Sequence, residues 1–178
     1  MSYQDIAVKY GTDKAQHGYM PYYEKHFKSN FINGDPHKIL EIGCKQGASL
    51  RMWNELFPNT QLFTIDLFKE FNPPDDILEL YSITGSQTDG RILQHAREKG
   101  VYDIIIDDGS HNSRDQLISF YGLVNCTFTY VVEDLHCCND SFYRQDMTFA
   151  QTMLGQMKDN KFPFKFDLYD DKIAFIYG

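Results

Sequence analysis

Several things this sequence lacks narrow its class. No apolar run approaches the ~20 residues that a membrane-spanning helix needs, and the N-terminus, MSYQDIAVKYGTDK, has no charged-then-apolar layout of a secretory signal. Positive charge is scarce: 17 Lys and Arg stand against 25 Asp and Glu, a formal net charge of −8. With no basic surplus to displace counterions, nucleic acid is not the expected partner. Cysteine is limited to Cys44, Cys126, Cys137 and Cys138, none in a C-x-x-C pair. Zinc sites usually draw on spaced ligand pairs, so the run His136, Cys137, Cys138 is not read as a metal site, and reduced thiols in a cytoplasmic protein are the expectation. No internal repeat or low-complexity linker divides the chain, so residues 1–178 are read as a single domain.

What is present is a folded globule, 42% hydrophobic and 15% aromatic. Short apolar runs alternate with helical stretches. HKILEIG (37–43), QLFTIDL (61–67), ELYSITG (79–85), YDIIID (102–107) and TYVVEDL (129–135) read as buried strands. ASLRMWNELF (48–57), DGRILQHAREKG (89–100), SRDQLISFYGLV (113–124) and a stretch around 142–158 read as helices, with Ser113 and Gln116 spaced like a capping box. The last residues, KFPFKFDLYDDKIAFIYG, predict two strands joined by an Asp-rich turn. Seven strands follow: an α/β fold with a mostly parallel sheet, helices on both faces and an antiparallel C-terminal hairpin. Residues 1–35 are too polar and aromatic for a simple core helix and predict a helical cap across the ligand edge of the sheet.

In open α/β sheets, ligands sit beyond the carboxyl ends of the strands. The first such end is EIGCKQGAS, where Glu41, Gly43 and Gly47 give an E-x-G-x-x-x-G spacing and Ser49 opens a helix. Glycines there allow a tight turn and a close backbone approach, and the helix N-terminus offers free N–H groups. A dinucleotide fingerprint would carry a further glycine where a pyrophosphate needs room. Its absence disfavours a nucleotide-dependent oxidoreductase. Asp66 ends the second strand and is placed to accept from ribose hydroxyls. Ser86, Gln87 and Asp89 follow the third and are placed to reach an adenine edge, although Asp89 serves equally well as a helix N-cap. Glycine turn, ribose acid and polar loop together suit an adenosyl ligand without a pyrophosphate, S-adenosylmethionine.

The fourth strand ends in DIIIDDGSH and the fifth in YVVEDLH. Neighbouring strands lie roughly 4.8 Å apart, so Asp108, Glu133 and Asp134 would crowd together and repel unless protonated or joined by a cation. All-oxygen ligands suit a hard divalent ion, Mg²⁺ or Mn²⁺. Successive strand residues point to opposite faces, so Asp107 is not expected at that ion; it either bonds backbone N–H groups or holds part of the cofactor. His111, just beyond the turn, is suited to accept a proton from a hydroxyl made acidic by the metal. His136 is a supporting or substrate-side candidate.

These segments, with YGTDK…HGY…YYEKHF before them, resemble the catalytic domain of the metal-dependent sugar O-methyltransferases of macrolide pathways, the mycinamicin 2″-O-methyltransferase group. The resemblance runs from about Tyr10 to His136. It implies a Rossmann-like class I methyltransferase fold, S-adenosylmethionine as donor, Mg²⁺, and a glycan or glycoside hydroxyl as acceptor. It places the metal on Asp108, Glu133 and Asp134, the base on His111, the glycine loop on Gly43 and Gly47, and the ribose acid on Asp66. Thr12, Asp13 and Lys14 fall near the methionine end of the donor or the substrate. The large N-terminal domain of the macrolide enzymes has no counterpart here, which leaves substrate choice and assembly open. A domain of a longer polypeptide, beside glycosyltransferase domains, is a further expectation. The alternatives are a metal-dependent catechol or phenol O-methyltransferase and a non-catalytic cofactor-binding module of the same fold.

Overall fold

A computed structural model describes residues 1–30, 34, 36–67, 77, 80–140, 142–143, 148–159 and 163–178. Parts of the expected cap (31–33, 35), third strand (79), helix (144–147) and C-terminal segment (161–162) lie outside the described residues. In chain order the elements are α1 (Tyr3–Tyr10), a 3₁₀ turn (Asp13–Ala15), α2 (Met20–Asn30), β1 (Lys38–Ile42), α3 (Ala48–Leu56), β2 (Gln61–Asp66), β3 (Leu80–Thr84), α4 (Gly90–Glu98), β4 (Tyr102–Asp107), α5 (Ser113–Leu123), β5 (Thr127–Val132), a 3₁₀ turn (Leu135–Asn139), α6 (Phe149–Lys158), β6 (Lys165–Tyr169) and β7 (Ile173–Tyr177).

The strands form a seven-stranded sheet in the order β3-β2-β1-β4-β5-β7-β6. β1 to β5 run parallel and the C-terminal hairpin is antiparallel, with β7 against β5. Asp170 and Asp171 turn that hairpin at φ 51° and 53°, and Lys172 N–H closes it on the Tyr169 carbonyl at 2.9 Å. Strand order reverses between β1 and β4, the switch point at which doubly wound sheets open a ligand crevice.

Side chains alternate across the sheet and build two cores. Ile39, Ile104, Ile106, Val131 and Phe175 pack on one face beneath α1, α2 and α3, with Trp53 fully buried. Leu40, Ile42, Ile105, Tyr130 and Val132 pack on the other beneath α4, α5 and α6.

Three local expectations change. The cap of α5 is Asn112, whose side chain accepts from Arg114 N–H, while Ser113 and Gln116 are buried inside the helix. β5 starts two residues early because Thr127 pairs with Tyr102. α6 starts at Phe149, and Phe142 and Tyr143 belong to a turn in which Phe142 N–H reaches the Asp140 carboxylate at 2.9 Å.

The N-terminal helices are fixed to the sheet partly through aromatic contacts. His26 stacks on Phe175 with ring centroids 3.9 Å apart and an interplanar angle of 3°, and its Nε2 lies 3.0 Å from the Tyr169 hydroxyl. Burial pushes the His26 imidazole below its usual value, against the opposing pull of Asp167. A depressed folded pKa gives stability that is present above the unfolded value near 6.5 and is lost as pH falls through the folded value. His26→Phe keeps the stack and removes the titration. Urea denaturation from pH 8 to 5 is expected to show a shallower acid-side loss in the variant; equal slopes would refute this.

Candidate active site

The tips of β1, β4 and β5 carry Glu41, Asp108 and Glu133 towards the face covered by the N-terminal segment. Lys14, from the first 3₁₀ turn and with no exposed surface, inserts among them. Its Nζ lies 2.5 Å from Asp108 Oδ2, 2.7 Å from Glu133 Oε2 and 3.2 Å from Glu41 Oε1. The cation demanded by the crowded carboxylates is therefore, in part, a lysine of the chain itself. Glu133 Oε1 accepts from the Tyr23 hydroxyl, and Glu41 Oε2 accepts from Ser49 Oγ at 2.7 Å. Burial alone would lower the Lys14 pKa, but the three carboxylates outweigh it and hold the ammonium well above its ordinary value. Burial raises Glu133 strongly and Glu41 as well, with Lys14 pulling both the other way.

Asp134 follows β5 in the left-handed region, φ 55°, which turns its side chain away from that of Glu133. Tyr19 donates to its Oδ1 at 2.5 Å, and His17 Nδ1 lies 3.2 Å from the same oxygen. His111 Nδ1 is 3.4 Å from Oδ2, and His136 Nδ1 is 3.9 Å from Oδ1. His111 too has a positive φ, 56°. Non-glycine residues in this conformation are uncommon and gather at functional sites.

Asp108, His111 and Asp134 each present one ligand atom within 4.8 Å of the others, and His111 Nδ1 is shielded from solvent without a hydrogen-bond partner. The two carboxylates fit a hard divalent cation such as Mg²⁺ or Mn²⁺, with the His111 ring beside them. Of the three expected metal carboxylates, Asp108 and Asp134 meet at this point, whereas Glu133 is engaged by Lys14 and Tyr23.

A cleft of about 570 Å³ runs from this cluster along the strand tips. Among the expected cofactor residues, Thr12, Gly43, Ser49, Asp66, Ser86 and Gln87 line it, as do Asp108 and His111. Lys14, Glu41, Gly47 and Asp107 do not. Gly43 is required for a reason other than ligand approach: a Cβ there would lie 2.2 Å from the backbone oxygen of Asp108. Gly47, at φ 78°, is the N-cap of α3. Asp66 Oδ2 accepts from the N–H groups of Cys44 and Lys45, at 2.9 and 3.0 Å, and so shapes the glycine loop. Asp89 is the N-cap of α4, accepting from Arg91 N–H at 2.9 Å.

Gln87 and Asp107 work beneath the cleft. Gln87 accepts from Ser110 N–H at 2.8 Å and donates to Asp107 Oδ1 at 3.0 Å. Asp107 is fully buried on the opposite face from Asp108 and also accepts from the Ser119 hydroxyl, the Tyr130 hydroxyl at 3.2 Å and Gly109 N–H at 3.4 Å. Burial pushes its carboxyl up to about 6. The backbone-bonding alternative for Asp107 is thus met weakly through Gly109, and its main partners are side chains.

No family model matches the chain. A Streptomyces olivaceus 8-demethyl-8-(2-methoxy-α-L-rhamnosyl)-tetracenomycin-C 3′-O-methyltransferase is 34% identical over 143 residues, 73% of this chain and 36% of that protein. The Micromonospora griseorubida mycinamicin VI 2″-O-methyltransferase is 33% identical over 144 residues, 74% of this chain and 35% of that protein. The chain is a homologue of sugar O-methyltransferases. It spans about a third of the length of these curated relatives. The MycE methyltransferase of the mycinamycin pathway, solved with Mg, SAH and mycinamycin VI, superimposes with a TM-score of 0.80 at 26% identity, covering 99% of this chain and 54% of that one. A Burkholderia thailandensis O-methyltransferase family protein, at 9% identity and TM-score 0.56 over 95% of this chain and 61% of its own, shares the fold alone. The class I methyltransferase fold is thereby established.

Lys14, Tyr19 and Tyr23 hold the site together, a role that no spacing in the sequence announces. Lys14→Met leaves the buried carboxylates of Glu41 and Glu133, and the half-buried one of Asp108, without their ammonium. The expected cost is about 3–5 kcal/mol, growing as pH rises and the carboxylates ionise, read by chemical denaturation at pH 5 and 8. A loss below about 1 kcal/mol at both would show that the cluster does not depend on it. Gly43→Ala forces apart the ends of β1 and β4, and calorimetry is expected to show weaker binding of both divalent cation and donor; unchanged binding of both would refute the contact.

Proposed function

We propose that this chain binds S-adenosylmethionine in the strand-tip cleft and methylates a sugar hydroxyl on a glycan or glycoside, as an O-methyltransferase dependent on Mg²⁺ or Mn²⁺. The observation that carries the reading is the cluster of Asp108, His111 and Asp134 where the cleft meets the N-terminal segment. Homology to enzymes named for methylating rhamnosyl and macrolide sugars supports the acceptor class.

Asp108 and Asp134 would hold the divalent cation, with Glu133 behind them on Lys14 and Tyr23. A bound cation would supply Lewis-acid stabilisation of a developing alkoxide, and the donor would supply a methyl group on a sulfonium with a good leaving group. The residues of the chain then have positioning and proton transfer to perform. His111 has its Nδ1 towards Asp134, so Nε2 is the atom that takes the proton from the acceptor hydroxyl, while Asp134 stabilises the imidazolium that results. Asp66 fixes the glycine loop and sits beside the expected ribose; Ser86 and Gln87 border the adenine end. Thr12, from the N-terminal segment, lines the cleft as well. The reading includes a single catalytic domain over residues 1–178, at work in the cytoplasm, in a polypeptide that carries glycosyltransferase domains; no helix among the described residues is long and apolar enough to cross a membrane.

Mass spectrometry of a glycoside panel incubated with donor and Mg²⁺ is expected to show a gain of one methyl on a sugar. Methylation of catechols with none of the glycosides would replace the acceptor assignment. His111→Ala is expected to lower turnover about 10²–10⁴-fold with cation binding retained by calorimetry, and full turnover in that variant would remove the base role. Thorough chelation or Asp108→Ala is expected to abolish turnover; activity that survives both would exclude an essential metal.

A further inference from the structure

The Asp134 carboxylate belongs to two overlapping groups. One is the Asp108–His111–Asp134 set above. The other is Asp134, His136 and Cys137, which also place one ligand atom each within 4.8 Å of one another. Its donors differ in kind: one carboxylate oxygen, one imidazole nitrogen and one sulfur. His136 and Cys137 come from the 3₁₀ turn that follows Asp134, and the tight winding brings these consecutive side chains to one point. This is what a linear reading of the His136, Cys137, Cys138 run misses, since the partner carboxylate stands two residues before the histidine.

A second observation marks the point. His136 Nδ1 is shielded from solvent and has no hydrogen-bond partner, a state that a metal bond would relieve. The nitrogen-to-oxygen spacings come close to those of a metal site. Donors on a zinc tetrahedron with bonds of ~2.0–2.3 Å stand about 3.3–3.8 Å apart. His136 Nδ1 and His17 Nδ1 stand 3.9 and 3.2 Å from Asp134 Oδ1, and the two rings meet edge-on with centroids 5.8 Å apart. His17 is thus a neighbour of the site on the open side.

We propose that Asp134, His136 and Cys137 form a binding site for a thiophilic divalent cation such as Zn²⁺, and that its occupant competes with the hard cation for Asp134. The competition clause rests on the hard-cation site proposed above; the thiophilic site does not. Sulfur and imidazole select zinc-like ions, whereas carboxylate and water suit Mg²⁺ and Mn²⁺. On binding, the Cys137 sulfur exchanges its proton for the metal and the proton passes to solvent. The consequence is a methyltransferase held inactive by Zn²⁺ at concentrations that leave its fold untouched.

Co²⁺ reports the site without donor, acceptor or turnover. Titrating the full chain, reduced and metal-free, is expected to give a sulfur-to-cobalt charge-transfer band in the near ultraviolet. The band is expected to vanish in Cys137→Ser and weaken in His136→Asn, and to persist in Cys138→Ser, which controls for folding and for the neighbouring thiol. Absence of the band in the unaltered chain, or its survival in Cys137→Ser, would overturn the site. Mg²⁺ binding is measured on the same sample by calorimetry. Where Mg²⁺ binds and weakens Co²⁺ binding, Asp134 is shared; where Mg²⁺ binds and leaves Co²⁺ unaffected, the competition is refuted. Failure of Mg²⁺ to bind would count against the hard-cation reading and the competition together, with the Co²⁺ band still deciding the thiophilic site.

Discussion

A lysine ammonium with no exposed surface, held by three carboxylates, is the constraint on which the rest of this site depends. An isolated buried charge of either sign costs several kcal/mol, and so Lys14 and its partners Glu41, Asp108 and Glu133 are tenable only together. The four residues come from the N-terminal 3₁₀ turn and from the ends of β1, β4 and just beyond β5. The ion cluster therefore registers the N-terminal segment on the sheet alongside the aromatic contacts of Tyr23 with Phe27 and Trp53. It also holds Asp108, whose other neighbours are His111, Asp134 and the cleft. The N-terminal segment is so polar and aromatic because it covers a charged sheet edge: Lys14 supplies the counter-charge, and the Tyr19 and Tyr23 hydroxyls satisfy carboxylate oxygens that water cannot reach.

The other face of the sheet carries a separate polar network with a different purpose. Strand alternation puts Asp107 among the side chains under α5, one residue from Asp108 and on the opposite side. Its carboxylate draws in Gln87, Ser119 and Tyr130, and Gln87 in turn accepts from Ser110 N–H. That chain of contacts supports the turn carrying His111 from below, while Asp134 meets the same histidine from above. A Cβ on Gly109 would strike the Gln87 amide oxygen at 2.1 Å and so would displace the side chain that Asp107 and Ser110 hold in place.

The fold was legible in the sequence because its signals are local. Strand ends, helix stops and the Asp-rich turn are written in periodicity and in residues with strong backbone preferences, and all seven strands stand where apolar runs predict them. The site was legible in outline for the same reason: strand tips in a parallel sheet converge, so acids at those tips must meet. What alternation could settle, it settled, as with Asp107 and Asp108. The failures have another origin. Gly43 and Gln87 line the cleft as their positions suggest, but each also answers to a partner with no local signature, the first to the Asp108 backbone and the second to Asp107. The ammonium within the acid cluster sits 94 residues before Asp108, and nothing in the spacing of charges pairs them. Adjacency in sequence puts Asp134 beside Glu133, and only the left-handed backbone at Asp134 parts the two side chains.

That parting gives the two adjacent acids different work. Glu133 has both oxygens committed to a tyrosine and a lysine in a dry environment, and through them it ties the sheet edge to the N-terminal segment. Asp134 faces Tyr19 and three imidazoles, one of them the base candidate. A carboxylate has two oxygens and cannot hold a tyrosine, three histidines and a metal at full strength together. The occupant of one side therefore alters what the other side can bind. In the proposed reading, chemistry at His111 and whatever engages His136 and Cys137 meet at a single carboxylate, because the chain turns at Asp134 rather than continuing the strand.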